Sequence, residues 1–323
     1  MTTVSICMLA YNHEKHIAQA IEGVVMQKAN FPFELVIGED KSTDNTAGII
    51  NEYAVKYPEI IKVLSHNSNL GAFQNTIKTI QECKGKYLAL CEGDDYWTDP
   101  FKLQKQVDFL ESHPDFSVCF HNTKIYYETE NRFSDYDFVK NIPEITDINY
   151  LARGNYIPTQ TVMYRSNDNV VRELLLVNTS MTDYPLAMLH AKYGKIKKFH
   201  ETMSVYRVHE GGCYKGMDIN NMPNSLRMLE DMFPLFEKET VDVMMLHYSQ
   251  IVGKIIDYYI SIGDYNSAKK AALDFSKINS SSAHDLLFYK FEKSQKELLS
   301  IKKSKYFKLY NLLIAPFKKL RKS

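Results

Sequence analysis

What this chain lacks narrows it first. Its 323 residues hold no GxGxxG after any apolar run and no GxxxxGKS/T, so neither a dinucleotide fingerprint nor a P-loop is there to cradle phosphates. No stretch of about 18 consecutive apolar residues occurs, so no transmembrane helix is expected. Neither charge sign is in excess: 39 Lys and Arg stand against 39 Asp and Glu, which removes any global electrostatic case for nucleic acid. The five cysteines (Cys7, Cys83, Cys91, Cys119 and Cys213) are odd in number and contain no CxxC pair. Several sit in apolar runs, as reduced thiols of a cytosolic protein do. The apolar N-terminus has no basic n-region and runs straight into Tyr11, Asn12, His13 and Glu14, which reads as a strand rather than a signal peptide. No fixed-period repeat is present. A cytoplasmic, soluble chain is the expectation.

What is there is ordinary core material, 45% apolar and 12% aromatic, arranged as alternating strand and helix patterns. Residues 4–9, 33–37, 60–64 and 86–91 read as strands. Between them, Ile17, Ala20, Ile21, Val24 and Val25 recur at helical spacing. A second helix carries Ile49, Ile50, Tyr53 and Ala54, with Ser42, Thr43 and Asp44 as N-cap candidates. A third covers 72–82. Strands separated by single helices imply βαβ units and a parallel sheet. Asp99 and Pro100 open another helix, and 116–127, 156–164 and 195–209 read as further strands. A helix over 182–193 opens on Asp183. Residues 128–149 read as a polar loop facing a second substrate. Gly23 and His16 read as helix surface, and Asn67 and Ser68 as turn residues. From about 225 the pattern is helical, with a hairpin turning at Gly263, Asp264 and Tyr265.

The chemistry collects where the fourth strand stops. Lys86-Tyr-Leu-Ala-Leu-Cys-Glu-Gly-Asp-Asp95 is a short apolar run ending in three carboxylates, Glu92, Asp94 and Asp95. In an open α/β sheet, ligands bind outside the carboxyl ends of the strands. Acids clustered there repel one another until a cation or donor neutralises them. An oxygen-only set suits a hard divalent ion, Mg²⁺ or Mn²⁺, shared with a phosphate. Two more strand ends feed the same rim, Ala10-Tyr11-Asn12 after the first and Asp40 after the second.

Four blocks, Val-Ser-Ile-Cys-Met-Leu-Ala-Tyr-Asn-His-Glu, Glu-Leu-Val-Ile-Gly-Glu-Asp-Lys-Ser-Thr-Asp-Asn-Thr, Asn-Ser-Asn-Leu-Gly and Tyr-Leu-Ala-Leu-Cys-Glu-Gly-Asp-Asp, resemble in content and order those of family-2 glycosyltransferases. The likeness covers roughly residues 1–110 and continues more loosely to about 210. It implies an α/β GT-A fold, a Rossmann-like, mostly parallel sheet flanked by helices, and an inverting enzyme dependent on a nucleotide-sugar, a UDP-sugar by preference. By the same resemblance Ala10, Tyr11 and Asn12 border base and ribose, Asp40 meets the uracil imide, Asn69 borders the nucleotide, and Glu92 and Asp94 lie on the ribose and sugar side. Asp95, with His209, is assigned to the metal, Mn²⁺ or Mg²⁺. Two positions depart from the family pattern: Glu92 stands for the first Asp of the acid run, and Glu39 for the first of the acid pair before Lys41.

Inversion needs one base, and a positioned carboxylate contributes about 10²–10⁴-fold. Asp183 fills that role in the resemblance; read alone, it is equally a first-turn acid whose pKa the helix dipole lowers. His209 reads as a metal or diphosphate ligand or as polar surface, and Arg207 as an anion contact or a solvated strand-end charge. Trp97 and Tyr96 border a sugar or pack in the core. Residues 302–323 carry eight Lys and Arg and no acid, interleaved with aromatics. That suits an anionic membrane surface, although Pro316 interrupts the segment, and packing on the domain is the alternative. The expected organisation is a catalytic domain over 1–222 (donor half 1–115, acceptor half 116–222), a helical region over 223–300 and a basic amphipathic tail over 301–323. The implied acceptor is a glycan or lipid-linked glycan, reached by peripheral contact with the inner face of the cell membrane. The competing classes are a non-catalytic glycan- or nucleotide-binding scaffold on this fold and a sugar nucleotidyltransferase. The second would need a glycine- and lysine-bearing phosphate loop that 10–14 lacks.

Overall fold

The computed structural model describes residues 2–134, 139–212 and 219–278; the tail read from 301–323 and Cys213 lie outside them. The first half alternates β1 (Val4–Ala10), α1 (Ile17–Val25), β2 (Phe33–Glu39), α2 (Thr46–Lys56), β3 (Ile61–Ser65), α3 (Ala72–Glu82) and β4 (Tyr87–Leu90). After it come β5 (Tyr96–Trp97), α4 (Lys102–Ser112), β6 (Phe116–Tyr127), β7 (Arg132–Phe133), β8 (Ile145–Thr146), α5 (Ile148–Leu151), β9 (Met163–Arg165), α6 (Asp168–Leu174), α7 (Asp183–Ala191) and β10 (Lys195–Val208). Three helices close the described chain: α8 (Met222–Met232), α9 (Lys238–Ser261) and α10 (Tyr265–Ile278).

One sheet runs in the order β3-β2-β1-β4-β9-β6-β10-β5, with β7 on β6 and β8 on β10. The β1–β4 strands pair in parallel, as the alternating pattern predicts, while β9 is antiparallel to both β4 and β6. The chain reverses direction across the sheet between β1's two neighbours, β2 and β4. That is the switch point where open α/β sheets bind ligands. Helices cover both faces, so β1 and β4 are apolar runs without alternation. Ile17, Ala20, Ile21 and Val24 of α1 and Leu103, Val107 and Leu110 of α4 close the core with Met8, Ile37 and Tyr87.

Several expectations change here. The strand expected over 156–164 is a short 3₁₀ turn at Thr159–Thr161 followed by only three residues of β9, because Pro158 heads the turn and supplies no ladder donor. Gly23 is buried rather than surface: a Cβ there would meet the Trp97 backbone at 2.9 Å, so its absence lets α1 lie on β5. His16 is buried as well. Trp97 belongs to the core, 2% exposed, its indole N–H donating to the Gln160 carbonyl at 2.8 Å. Of the N-cap candidates, Asp44 accepts from the N–H of Thr46, the first residue of α2, at 3.0 Å, while Ser42 and Thr43 latch the turn after β1.

The described chain forms two compact units. One takes the residues up to 212 with Pro234–Thr240, the other those from 219 to Phe233 and from Val241 to 278. The stretch Pro234–Thr240 thus counts with the first unit, inside the range read above as one helical region. In the second, Tyr248 stacks on Phe275 at 5.6 Å between ring centroids, and Gly263 turns α9 into α10 at φ +82°.

Candidate active site

The ends of β1, β2 and β4 lie side by side, and their loops are stitched together by side chains. Asn12 sits at φ +57° and Lys41 at φ +60°, a left-handed backbone that costs roughly 1–2 kcal/mol outside glycine. The Asn12 side chain accepts from the Thr43 N–H at 2.8 Å, and the Asn12 backbone N–H donates to Ser42 Oγ at 3.0 Å. Asp44 accepts from the Glu14 N–H at 3.1 Å. Asp40 is buried, and its two oxygens accept from the N–H groups of Leu70 at 2.7 Å and Gly71 at 2.9 Å. Asn69 accepts from the same Gly71 N–H at 3.0 Å. Asp40 therefore fixes the loop after β3. Each carboxylate oxygen still has a free lone pair for a ligand donor. Tyr11 is 44% exposed at the rim, open to stack on a planar ring.

The acid turn continues β4 alongside β1, with the Gly93 N–H donating to the Leu9 carbonyl at 2.9 Å and the Asp95 N–H to that of Glu92 at 3.1 Å. A Cβ on Gly93 would come within 2.8 Å of His13 Nδ1 and 2.9 Å of Ile17 Cδ1, so only glycine lets the turn pass there. Ligand atoms of Glu92, Asp94 and Asp95 all lie within 4.8 Å of one another. Three environments split their chemistry. Burial, followed by the charges of Asp94 and Asp183, pushes Glu92 up to about 8. Burial and the neighbouring acids also push Asp95 well up, against the Arg207 N–H that donates to its Oδ1 at 2.8 Å. Burial would raise Asp94 too, but the His209 hydrogen bond and the His13 and His209 charges outweigh it and hold it low.

Asp94, rather than Asp95, faces the histidines: its Oδ2 lies 3.2 Å from His209 Nε2 and 3.7 Å from His13 Nε2. Asp95 keeps a buried Oδ2 without a hydrogen-bond partner. An orphaned buried carboxylate oxygen between two other acids fits a hard cation. Arg207 is not the solvated strand-end charge of one expected reading. It is buried, its Nε donating to the Asp94 carbonyl at 2.8 Å and its terminal nitrogen to Gln19 Oε1 at 2.6 Å. It ties β10 and α1 to the acid turn.

Asp183 begins α7, and its Oδ2 accepts from Asn155 Nδ2 at 2.8 Å. The helix-terminus argument predicted a lowered pKa. The direction is the reverse: burial raises it, outweighing the N–H groups of Tyr184 and Asp183 and the Asn155 amide. Desolvation is the larger effect, and these N–H donors offset only part of it. Sequence reasoning assigned no role to His13 or Gln19. The one available signal was the three-residue spacing of His13 and His16, which faces both to one side of a helical turn.

The glycosyl transferase family 2 model matches residues 5–175, more than half of the chain. The chain belongs to this family. An uncharacterized protein of Mycobacterium tuberculosis is 39% identical over 211 residues, 65% of this chain, and the chain spans 60% of that relative's length. The UDP-Glc:alpha-D-GlcNAc-diphosphoundecaprenol beta-1,3-glucosyltransferase WfaP of Escherichia coli is 27% identical over 273 residues, covering 83% of this chain and 100% of its own. Among solved structures, S. aureus TarS 1-349 in complex with UDP-GlcNAc superposes with a TM-score of 0.61 at 17% identity, over 88% of this chain and 84% of its own. That likeness shows the GT-A fold. In this family-2 chain the charge of Asp183 acts on Glu92 of the acid turn.

Proposed function

We propose that this family-2 glycosyltransferase moves a sugar from a nucleotide-diphosphate donor, a UDP-sugar, to a glycan or lipid-linked glycan acceptor in surface polysaccharide synthesis. Transfer proceeds with inversion by direct displacement. The observation that carries this reading is electrostatic: the Asp183 charge helps raise Glu92, so the candidate base and the donor acids share one cleft. The UDP-GlcNAc bound by TarS and the UDP-Glc in the Escherichia coli relative's name support uridine as the base.

Asp40 and Asn69 hold the loop that borders the nucleotide, Tyr11 stacks on the base, and Ala10 and Asn12 shape the floor beneath it. Glu92 and Asp94 turn toward ribose and sugar. Asp94, Asp95 and His209 would hold a divalent cation of the Mn²⁺ or Mg²⁺ kind. Such an ion, when bound, offsets the negative charge that develops on the departing diphosphate. Asp183, its pKa raised and its Oδ2 oriented by the Asn155 amide, takes the proton of the acceptor hydroxyl as that oxygen attacks the sugar's anomeric carbon. No enzyme nucleophile is required. The basic segment 302–323, outside the described residues, would hold the protein peripherally on the cytoplasmic face of the membrane, where a lipid-linked acceptor is presented.

Calorimetric titration of UDP and a set of UDP-sugars, with Mn²⁺ and with EDTA, tests this. Micromolar UDP binding only in the presence of metal is the expected result; no uridine nucleotide binding under either condition removes the donor assignment.

A further inference from the structure

Beside the donor acids lies a second constellation of different chemistry. We propose that His16, Glu128 and His209 form a zinc-type divalent-cation site that shares His209 with Asp94. One ligand atom from each of the three lies within 4.8 Å of the others. His16 Nε2 is 2.9 Å from Glu128 Oε1, and the two imidazole rings are 4.5 Å apart at their centroids. Two imidazoles and one carboxylate are a set that Zn²⁺ takes with a fourth position left open. The oxygen-only acid turn selects a harder ion.

Glu128 is 36% exposed, which gives an ion a way in, while the two histidine side chains are almost fully covered. The Arg207 guanidinium stands 3.8 Å from Glu128 Oε1 and opposes a cation, but it is already committed to Gln19 and the Asp94 carbonyl. His16 Nδ1 is buried without a hydrogen-bond partner. A ligand histidine lacking that support binds metal less tightly, which sets the site toward an exchangeable, regulatory ion.

The consequence is competition. A neutral imidazole has a single lone-pair nitrogen, so His209 serves either Asp94's side or His16's. Zinc at the second site withdraws His209 from the donor acids, and reciprocity requires that donor-site metal weakens zinc by the same factor. This rests on the proposed donor site only for the competition; the site itself stands on the cluster.

The test is titration of the full chain with Zn²⁺ by calorimetry and with Co²⁺ by visible absorption, in wild type, Glu128→Gln, His16→Gln and Asp94→Asn. Expected is one Zn²⁺ per chain, weakened at least about tenfold by Glu128→Gln and His16→Gln, with the tetrahedral Co²⁺ spectrum kept in Asp94→Asn. His16 is buried and its variant can misfold; Glu128→Gln, at a half-exposed position, then decides. Equal zinc affinity in wild type and Glu128→Gln, or loss of the cobalt spectrum in Asp94→Asn, overturns the site. Mn²⁺-dependent UDP binding, followed in the same samples, reports separately on the donor reading.

Discussion

Burial raises both Asp183 and Glu92, and the Asp183 charge adds to the shift at Glu92. A raised Asp183 is a better proton acceptor than a dipole-stabilised one. Asp183→Asn keeps the size and the Asn155 contact but removes the base. UDP affinity should stay within a few-fold while transfer falls by about 10²–10⁴; unchanged turnover removes Asp183 as base. Glu92 gives a pH prediction. Its folded value of about 8 lies above the ordinary 4.5, so the folded state keeps a proton that the unfolded chain releases. Its stabilising contribution is complete below about pH 4.5 and is lost as pH rises through 8. In EDTA, the melting temperature of Glu92→Gln relative to wild type should therefore climb between pH 5 and 8. The difference isolates Glu92 from the histidines, whose lowered values act with the opposite sign. A flat difference rules out proton uptake there. At this scale the acids could be read from sequence because they crowd the end of an apolar run. Arg207 and His16 could not: their partners Asp95 and Glu128 are each 112 positions away.

At the scale of elements, α4 is the instructive case. Its spacing of Leu103, Val107 and Leu110 marks a buried face, yet Lys102 and Gln106 lie fully buried on the same face. Lys102 Nζ donates to Gln106 Oε1 at 2.7 Å and sits 4.0 Å over the Trp97 ring. Gln106 in turn donates to the Thr161 carbonyl at 3.0 Å. The pair ties α4 to the 3₁₀ turn before β9, where the chain has little ladder to offer. Burial pushes the Lys102 amine down to about 7 from 10.5, so the unfolded chain holds a proton that the folded one lacks between those values. Stability from this site falls as pH drops through that window. Lys102→Met should raise the melting temperature more at pH 6 than at pH 9. An equal or larger gain at pH 9 would mean the aromatic face keeps the ammonium charged. The long elements, β1 through α3, follow from periodicity. Elements of two or three residues such as β5 and β9 carry no period and are defined only by their sheet neighbours.

At the scale of the whole chain, the donor-side half repeats a βαβ pattern that sequence alone can order, because its strands and helices alternate along the chain. Later segments depend on long-range partners: β10 pairs with β6 across some 80 positions, and Pro234–Thr240 counts with the first unit rather than with the helices around it. The membrane argument lives at this scale too and rests on composition. No described helix is long and apolar enough to cross a membrane, and the chain is neutral as a whole. Any attraction to an anionic bilayer must then come from a local imbalance, which the eight Lys and Arg of 302–323 would supply. Each such charge near the surface is worth about 1 kcal/mol, and the interleaved Tyr306, Phe307, Leu309, Leu312 and Phe317 would add apolar insertion. Deleting 302–323 should abolish co-sedimentation with vesicles containing anionic lipid and leave Mn²⁺-dependent UDP binding intact. Raising salt should weaken the full chain's binding toward that of the deletion, because screening removes the Coulomb part and spares the aromatic part. If the tail instead packs on the protein, deletion leaves co-sedimentation unchanged and lowers the melting temperature, an outcome that would move the lipid-linked acceptor from a tethered encounter to one met in free diffusion.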